Sequence, residues 1–163
     1  MTSITNGYNV QARYSTLEDR LKVVPSLESK NGHWTGERGN SRFVSNDSRL
    51  SEFFDSNGTV GLEYRDGKID MSNYAKVEFR IENMTNSRSN NFREADRKLV
   101  DALNQIEGNS CTMADVRKWR RDNKYTWHEL NDMETMQLVP SYINTPIFKH
   151  LGGVGEYNIM LLQ

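Results

Sequence analysis

The strongest constraint on the fold is a pair of strand-like segments in the last third of the chain. Residues 124–130 and 135–139 are rich in aromatic, β-branched and aliphatic side chains, and residues 131–134 between them have the sequence Asn-Asp-Met-Glu. This pattern predicts a β-hairpin with a four-residue turn. A proline follows the second segment and suits the first turn of a helix over residues 140–149, which Pro146 would shorten or kink. We therefore expect two strands followed by a helix.

Strand patterns also occur earlier in the chain. Residues 60–64 and 75–81 alternate apolar and polar side chains, which predicts two strands joined by a turn at Asp66-Gly67. A short helix is expected before them, over residues 48–56. Together with the hairpin, these segments predict an α+β fold with a small additional β element.

Two further helices are expected between these strands and the hairpin. An apolar stripe of helical period runs from Phe92 to Glu107, and a second amphipathic segment begins at residue 112. Both helices should contribute to the core. In the first helix, Asn91 and Glu94 form the expected capping pair, and Gly108 ends the helix. In the second helix, Thr112 and Asp115 form the capping pair, and Val116 and Trp119 are expected to face inward.

Composition limits the architecture to one main domain. The chain has 163 residues, and 36% of them are hydrophobic, which is enough for a single core with loose flanks. Residues 1–30 have little periodicity and predict an extended N-terminal arm, or an irregular layer wrapped on a domain formed by residues 31–163. The only cysteine, Cys111, excludes an internal disulfide and a Cys-rich zinc module. We expect no membrane segment and no signal peptide, since no apolar run approaches about 20 residues and the N-terminus is polar.

The distribution of charge bears on nucleic-acid binding. A formal net charge of −1 means that no global field attracts the protein to nucleic acid, which counts against strong nonspecific binding. Basic residues are nevertheless concentrated just before the predicted hairpin. They form either a solvated helix face or a set of phosphate contacts, and they are Arg117, Lys118, Arg120, Arg121 and Lys124.

The hairpin and the segment after it hold most of the candidate site residues. Two of the three histidines, His128 and His150, lie there with Glu129, Asp132 and Asn144. Imidazole, carboxylate and amide groups together can supply a general base and ligands for a metal ion. We therefore expect the functional site in this region.

Structural roles compete with site roles for several of these residues. Glu129 alternates with the preceding histidine, so it either faces the site or forms a solvated ion pair with Arg117 or Arg121. Asp132 lies at the predicted hairpin tip and either satisfies turn amides or binds metal. His150 precedes two glycines and either binds metal or caps the C-terminus of a helix in its charged form.

Several motifs in order resemble the HNH/endonuclease VII superfamily of toxin nucleases, in particular those with a Trp-His-Glu hairpin. The resemblance covers roughly residues 31–155, and several ordered motifs are more specific than any one of them. The motifs are Trp34-Thr-Gly-Glu-Arg-Gly-Asn-Ser41, Asn91-Phe-Arg-Glu-Ala-Asp96, Val116-Arg-Lys-Trp119, Trp127-His-Glu129, Thr135-Met-Gln-Leu-Val-Pro140 and His150-Leu-Gly-Gly153.

This resemblance implies a His-Me finger, a ββα core that holds one divalent metal ion beside the scissile phosphate. His128 would activate the attacking water, because a neutral imidazole can accept its proton. Glu129 is the second candidate catalytic residue beside His128, and Glu129, Asp132, Asn144 and His150 are the candidate metal ligands. The family pattern usually has a histidine at the position of Asn144, and the next histidine comes one residue late. An amide oxygen in place of an imidazole favours Mg²⁺ or Mn²⁺ over Zn²⁺.

The expected function is a metal-dependent DNA endonuclease of low sequence specificity, which acts as the toxic domain of a bacterial polymorphic toxin. The resemblance also implies a cognate immunity protein and delivery into the cytoplasm of a target cell. Two alternatives stay open at the level of sequence. One is a weak or inactive member that binds nucleic acid or protein, and the other is a ribonuclease.

Overall fold

The fold is α+β, as predicted. A computed structural model describes residues 3–163, in which five α-helices accompany two small antiparallel sheets. The helices are α1 (Leu17–Leu21), α2 (Ser48–Ser56), α3 (Arg88–Asn104), α4 (Met113–Asn123) and α5 (Gly153–Leu161). The strands are β1 (Gly32–Trp34), β2 (Arg42–Ser45), β3 (Leu62–Arg65), β4 (Lys68–Asp70), β5 (Glu78–Arg80), β6 (Tyr125–Glu129) and β7 (Thr135–Pro140). None of the helices in this described part of the chain is long and apolar enough to cross a membrane.

The first sheet has the strand order β1-β2-β3-β4. The predicted turn at Asp66-Gly67 is present, and both residues have positive φ. It joins β3 to β4, a strand that the sequence pattern missed, and not to the strand expected over residues 75–81. That segment contributes only β5, which belongs to the other sheet. One face of the first sheet packs into an aromatic core around Phe43 and Phe148.

The second sheet has the order β5-β7-β6 and contains the predicted hairpin. All of β7 is buried, because it is the central strand and lies between the two hydrophobic cores. The register pairs His128 with Gln137 and Glu129 with Met136. The two central candidate residues therefore lie at the end of β6 that approaches the hairpin turn.

Helix α3 differs from its prediction at both ends. Ser87 is the N-cap and accepts a hydrogen bond from the Asn90 amide at 3.3 Å. The predicted capping box is therefore wrong, because Asn91 lies inside the helix and is fully buried. The helix ends at Asn104, so Ile106 lies beyond it and is 57% exposed.

Helix α4 begins with the predicted capping box. Thr112 Oγ1 accepts from the Asp115 amide at 3.2 Å, and the Asp115 carboxylate accepts from the Thr112 amide at 2.9 Å. Val116 is buried, as expected. Trp119 was expected to face inward but is 38% exposed, since it lies at the rim of an apolar groove between α3, α4 and the second sheet.

The helix expected over residues 140–149 is absent. Pro140 is the last residue of β7 and pairs with Tyr125. The chain then turns, and a single 3₁₀ turn, Pro146–Phe148, follows a cap by Thr145. The first α-helix after the hairpin is α5, which begins at Gly153. The predicted order of two strands and a helix is thus correct only with a loop inserted before the helix.

The N-terminal segment is held on the domain by buried polar contacts. The fully buried Glu156 carboxylate of α5 accepts hydrogen bonds from the amides of Tyr14 and Ser15, each at 2.7 Å, and from Asn131 Nδ2 at 2.9 Å. One carboxylate thereby joins this segment, the hairpin turn and α5. Residues 1 and 2 of the expected arm lie outside the described residues.

The turn between β1 and β2 is structured and anchored by its arginine. Arg38 Nε donates to the carbonyl oxygen of Pro25 at 2.8 Å, and Arg38 Nη2 donates to that of Val24 at 3.0 Å. Trp34 Nε1 donates to Pro25 as well, at 3.0 Å. This turn packs onto the chain that precedes it.

Candidate active site

The candidate active site is a cavity of about 290 Å³ at the end of the hairpin. The hairpin, the loop after it and the first turns of α3 and α5 all contribute to its wall. Its lining includes Arg88, His128, Glu129, Asn144, His150, Gly152 and Gly153. Four of the five predicted catalytic and metal-binding residues are therefore brought together, and Asp132 is not.

His128 is the most deeply placed of these side chains. It is only 2% exposed, yet it lines the cavity, and among residues 3–163 its ring nitrogens have no hydrogen-bond partner. Burial lowers the pKa of the imidazole well below its usual range, and the nearby His150 and Arg88 lower it further. The ring is therefore neutral at physiological pH and has a free lone pair.

His150 faces His128 across the cavity. The two ring centroids are 5.0 Å apart, and the ring planes meet at 82°. His150 Nδ1 lies 2.9 Å from the carbonyl oxygen of Phe148, which can only accept, so Nδ1 carries the proton and Nε2 keeps its lone pair. Loss of solvent around the ring also lowers the pKa of His150. The alternative role as a helix C-cap is met in part, because Nδ1 contacts the last carbonyl oxygen of the 3₁₀ turn Pro146–Phe148, although no α-helix ends there and burial disfavours the charged form of the ring.

Glu129 is buried beside the histidines and has two partners. Its carboxylate accepts from Asn91 Nδ2 at 2.6 Å and lies 3.4 Å from Arg88 Nη1. Burial raises the pKa of Glu129, and the hydrogen bond from Asn91 and the charge of Arg88 oppose this rise. The expected ion pair with Arg117 or Arg121 is wrong, since the cation that Glu129 meets comes from α3.

Arg88 and Asn91 are site residues that the sequence reasoning missed. Arg88 is in the first turn of α3, and 66% of its side chain is exposed, so its guanidinium group reaches the solvent side of the cavity. Asn91 is held in turn by both backbone groups of Thr85, at 2.8 and 3.0 Å. The sequence did carry a signal for Asn91, because this residue begins the motif Asn91–Asp96 of the family resemblance. Its side chain was instead predicted to cap a helix.

The first turn of α5 forms another wall of the cavity. Its N-cap is Gly152, so no side chain occupies the free backbone amides there. A Cβ at Gly153 would overlap the Met84 sulfur and lie 2.9 Å from the Leu130 carbonyl oxygen. The two glycines thus let the helix start directly against the hairpin. Free amides and the helix dipole make such an N-terminus favourable for an anion.

Asn144 and Asp132 have different surroundings. Asn144 lines the cavity, and its Nδ2 donates to the Trp127 carbonyl oxygen at 3.3 Å, while its own side-chain carbonyl oxygen makes no hydrogen bond to the described residues. Asp132 stays in the hairpin turn, where it accepts from the Glu134 and Thr135 amides at 3.1 and 2.9 Å and from the Thr135 hydroxyl at 2.5 Å. Its oxygens are therefore already engaged in the turn.

The predicted basic cluster on α4 is divided by the structure. Arg120 does not face solvent as expected, because it forms a two-pronged ion pair with the buried Asp96, at 2.9 and 2.8 Å. Asp96 Oδ1 also accepts from Trp127 Nε1 at 2.8 Å, so this carboxylate fixes β6 against α3 and α4. The other members are exposed: Arg117, Lys118, Arg121 and Lys124.

The donor atoms in the cavity suit a metal only in part. Within residues 3–163, no three His, Cys, Asp or Glu side chains are grouped so that they could hold a metal ion. Two imidazoles and one side-chain amide do line the same cavity, and the backbone contact of His150 is the kind of support that metal-binding histidines use. A metal ion bound here would have few protein ligands, and water or substrate would have to complete its coordination.

A family model, the DNase/tRNase domain of colicin-like bacteriocin, matches residues 61–152, which is more than half of the chain. The matched segment contains the whole hairpin, α3, α4 and the histidine pair. The chain belongs to this family and is a nuclease domain of the bacteriocin toxin type. Comparison with curated proteins and with solved structures gave no match. The finer assignment to the HNH or His-Me finger type stays a prediction.

Proposed function

We propose that this cavity hydrolyses phosphodiester bonds, and that the protein is a metal-dependent DNA endonuclease of low sequence specificity. One observation carries the proposal. A buried, neutral and unpartnered His128 faces a second neutral imidazole across a cavity that an arginine and a free helix N-terminus also line. The ring lines the cavity and makes no hydrogen bond to the described residues, so its lone pair is free for a ligand, which supports a role in the reaction.

A phosphate group has two binding elements in the cavity. The Arg88 guanidinium group is directed there by Glu129, and the amides at the start of α5 supply hydrogen-bond donors without a side chain in the way. Arginine and backbone amides are the donors that phosphate oxygens prefer. In this proposal Glu129 is a positioning residue, because its carboxylate is engaged by Arg88 and Asn91.

His128 accepts the proton of the attacking water. Its lowered pKa keeps the lone pair available, and the negative charge of a bound phosphate would stabilise the imidazolium that forms. The role of general base, which the family resemblance implies for His128, is therefore compatible with its position in the cavity.

His150 and Asn144 are the residues proposed to hold the metal ion, with water and phosphate oxygens completing the coordination. When bound, a divalent ion would neutralise charge on the phosphate and on the leaving oxygen. Imidazole favours Mn²⁺ or Zn²⁺ over Mg²⁺, whereas the amide oxygen suits the harder ions. Mn²⁺ satisfies both donors, so we expect the highest activity with it. Asp132 is left out of this proposal, because its oxygens are engaged in the turn.

The biological setting follows from the family. A nuclease of this type is expected to be delivered into the cytoplasm of a competing cell and to be neutralised by an immunity protein in the producer. The roles proposed for the site residues are toward phosphate, water and metal and not toward base edges, which supports low sequence specificity. The family includes tRNases by its own description, so RNA is the second candidate substrate.

The test measures cleavage of supercoiled plasmid and of tRNA with Mg²⁺, Mn²⁺, Zn²⁺ or EDTA. We expect metal-dependent nicking of plasmid, strongest with Mn²⁺. Arg88→Gln should reduce it, whereas Arg93→Gln, an exposed arginine on the same helix, should not. Cleavage of tRNA alone would replace DNA by RNA as the substrate. Absence of cleavage of either polymer with every metal would refute the enzymatic proposal.

A further inference from the structure

A second cavity adjoins the active site and has a different chemistry. Asn144 lines the active-site cavity, and Thr145, the next residue, lines the second one. The second cavity has a volume of about 470 Å³, which is within the usual range for small-ligand sites. We call it the tyrosine groove, and its lining includes Arg49, Arg121, Lys124, Tyr142 and Thr145.

Tyr142 presents an aromatic ring in this groove. The side chain is 43% exposed, although its ring is stacked on Phe53 of α2, with centroids 6.2 Å apart and planes at 27°. Lys124 Nζ lies 5.6 Å from the ring centroid and 3.4 Å from the hydroxyl oxygen. The ring is therefore supported on one side and still accessible. An exposed aromatic residue with an adjacent cation is a common platform for nucleic-acid bases.

The charges around the ring are mostly positive. Arg121 and Lys124 are exposed cations at the rim, and Arg49 adds a third whose charge is balanced by Asp47 at 3.2 Å. Arg121 lies 3.8 Å from Asp122, a contact that is itself exposed to solvent. Exposed ion pairs of this kind contribute little energy and are easily exchanged for a phosphate. The groove thus combines a stacking surface with cations that can contact the backbone of a nucleic acid.

We propose that the tyrosine groove binds a single-stranded segment of the substrate, with one base stacked on Tyr142 and the adjoining phosphates at Arg121 and Lys124. The inference rests on the proposed function, because it assigns the groove to the same substrate. A base inside a duplex has both faces covered by its neighbours, so only an unpaired base can stack on a protein ring. Helix α2, which supports the ring, lies before the residues that match the family, so the family match does not include all of the groove.

The experiment measures the affinity of labelled short oligonucleotides by fluorescence anisotropy in EDTA, where no metal-dependent cleavage occurs. The probes are oligo(dT), oligo(U) and a blunt DNA duplex. Tyr142→Ala should weaken binding of at least one single-stranded probe about 5- to 150-fold, since stacking is worth roughly 1–3 kcal/mol per base. Duplex binding should change less than about twofold, because the duplex offers no free base face.

Two control variants separate stacking from general damage. Tyr142→Phe keeps the ring and should bind as the parent does. Tyr8→Ala removes another tyrosine that contacts an arginine, with Arg65 Cζ 4.0 Å from its ring centroid, and should also leave binding unchanged. Equal single-strand binding by Tyr142→Ala and the parent would overturn the inference, and so would an equal loss for the duplex. Loss with only one of the two polymers supports the groove and identifies the polymer.

The binding result is independent of the cleavage result. If the parent binds single strands through Tyr142 but cleaves nothing with any metal, the groove stands and the enzymatic proposal fails. If plasmid is cut while Tyr142→Ala binds single strands as the parent does, the enzymatic proposal stands and the groove fails.

Discussion

Removal of the Asp96 carboxylate should destabilise the protein strongly, although Asp96 lies outside the active-site cavity. Its side chain is 2% exposed and is shared by Arg120 and Trp127, which belong to α4 and β6. Arg120 itself is only 14% exposed. In an Asp96→Ala protein, a nearly buried guanidinium group would therefore lose its counterion, and the indole N–H would lose its acceptor.

The magnitude follows from these two losses. Removal of one partner from a buried ion pair typically costs about 3–5 kcal/mol, because the other charge stays buried and uncompensated. The unpaired indole N–H adds roughly 1–3 kcal/mol if it finds no other acceptor. The two costs are not fully additive, because both groups contact the same carboxylate. We therefore expect a loss of about 4–6 kcal/mol in the free energy of unfolding, which is a large part of the usual stability of a domain.

The assay is urea denaturation followed by tryptophan fluorescence. The matched control is Asp122→Ala, which breaks the exposed pair between Lys118 and Asp122 on the surface of α4 and should cost no more than about 1 kcal/mol. In the Asp96→Ala background, Arg120→Met should recover part of the stability, since it removes the stranded charge. Similar small losses for Asp96→Ala and Asp122→Ala would refute the claim that this carboxylate fixes the hairpin to the helices.

Three further predictions concern the active-site cavity. Asn144→His should raise the cleavage rate with Zn²⁺ relative to Mg²⁺, because an added imidazole favours the softer ion. An unchanged metal preference would show that Asn144 is not a metal ligand. The metal-free parent should lose stability as the pH falls below about 6.5, because burial lowers the pKa of His128 and only the unfolded chain then gains its proton. Between about pH 7.5 and 5.5 this loss should be up to about 1.4 kcal/mol smaller in His128→Phe, as measured by urea denaturation. Gly153→Ala should cost about 1–3 kcal/mol in the same assay, since the new methyl group would overlap Met84.

The elements that could be predicted from the sequence are those whose signals are local. The strands of the hairpin follow from their side-chain composition, and the start of α4 follows from the pair Thr112 and Asp115. Helix α2 was likewise found within its bounds, Ser48–Ser56. In each case the residues that determine the structure are neighbours in the sequence, and no distant contact overrides them.

The errors arise where distant contacts decide. Pro140 suits a helix start by local rules, but here it ends a buried strand that pairs with β6. Helix α5 has two glycines in its first turn and no regular apolar stripe, so its start is set by contact with the hairpin. No local pattern reports such a contact.

In the candidate site too, residues with a local sequence signal were predicted, and residues placed by distant contacts were missed. His128 and His150 were found because histidines are rare in this chain and both lie in one segment. Arg88, which faces them from another helix, has no such signal. Arg120 was assigned to an exposed basic face because its partner, Asp96, lies on α3 and comes close only in the folded chain.

The most direct test of the proposed active site is the rate of plasmid cleavage by His128→Ala under single-turnover conditions with Mn²⁺. We predict a loss of about 10²- to 10⁴-fold relative to the parent, as is typical when a general base is removed. His33→Ala, which changes an exposed histidine outside the cavity, should cut at the parental rate. Equal cleavage by the parent and His128→Ala would contradict the assignment of this cavity as the site of phosphodiester hydrolysis.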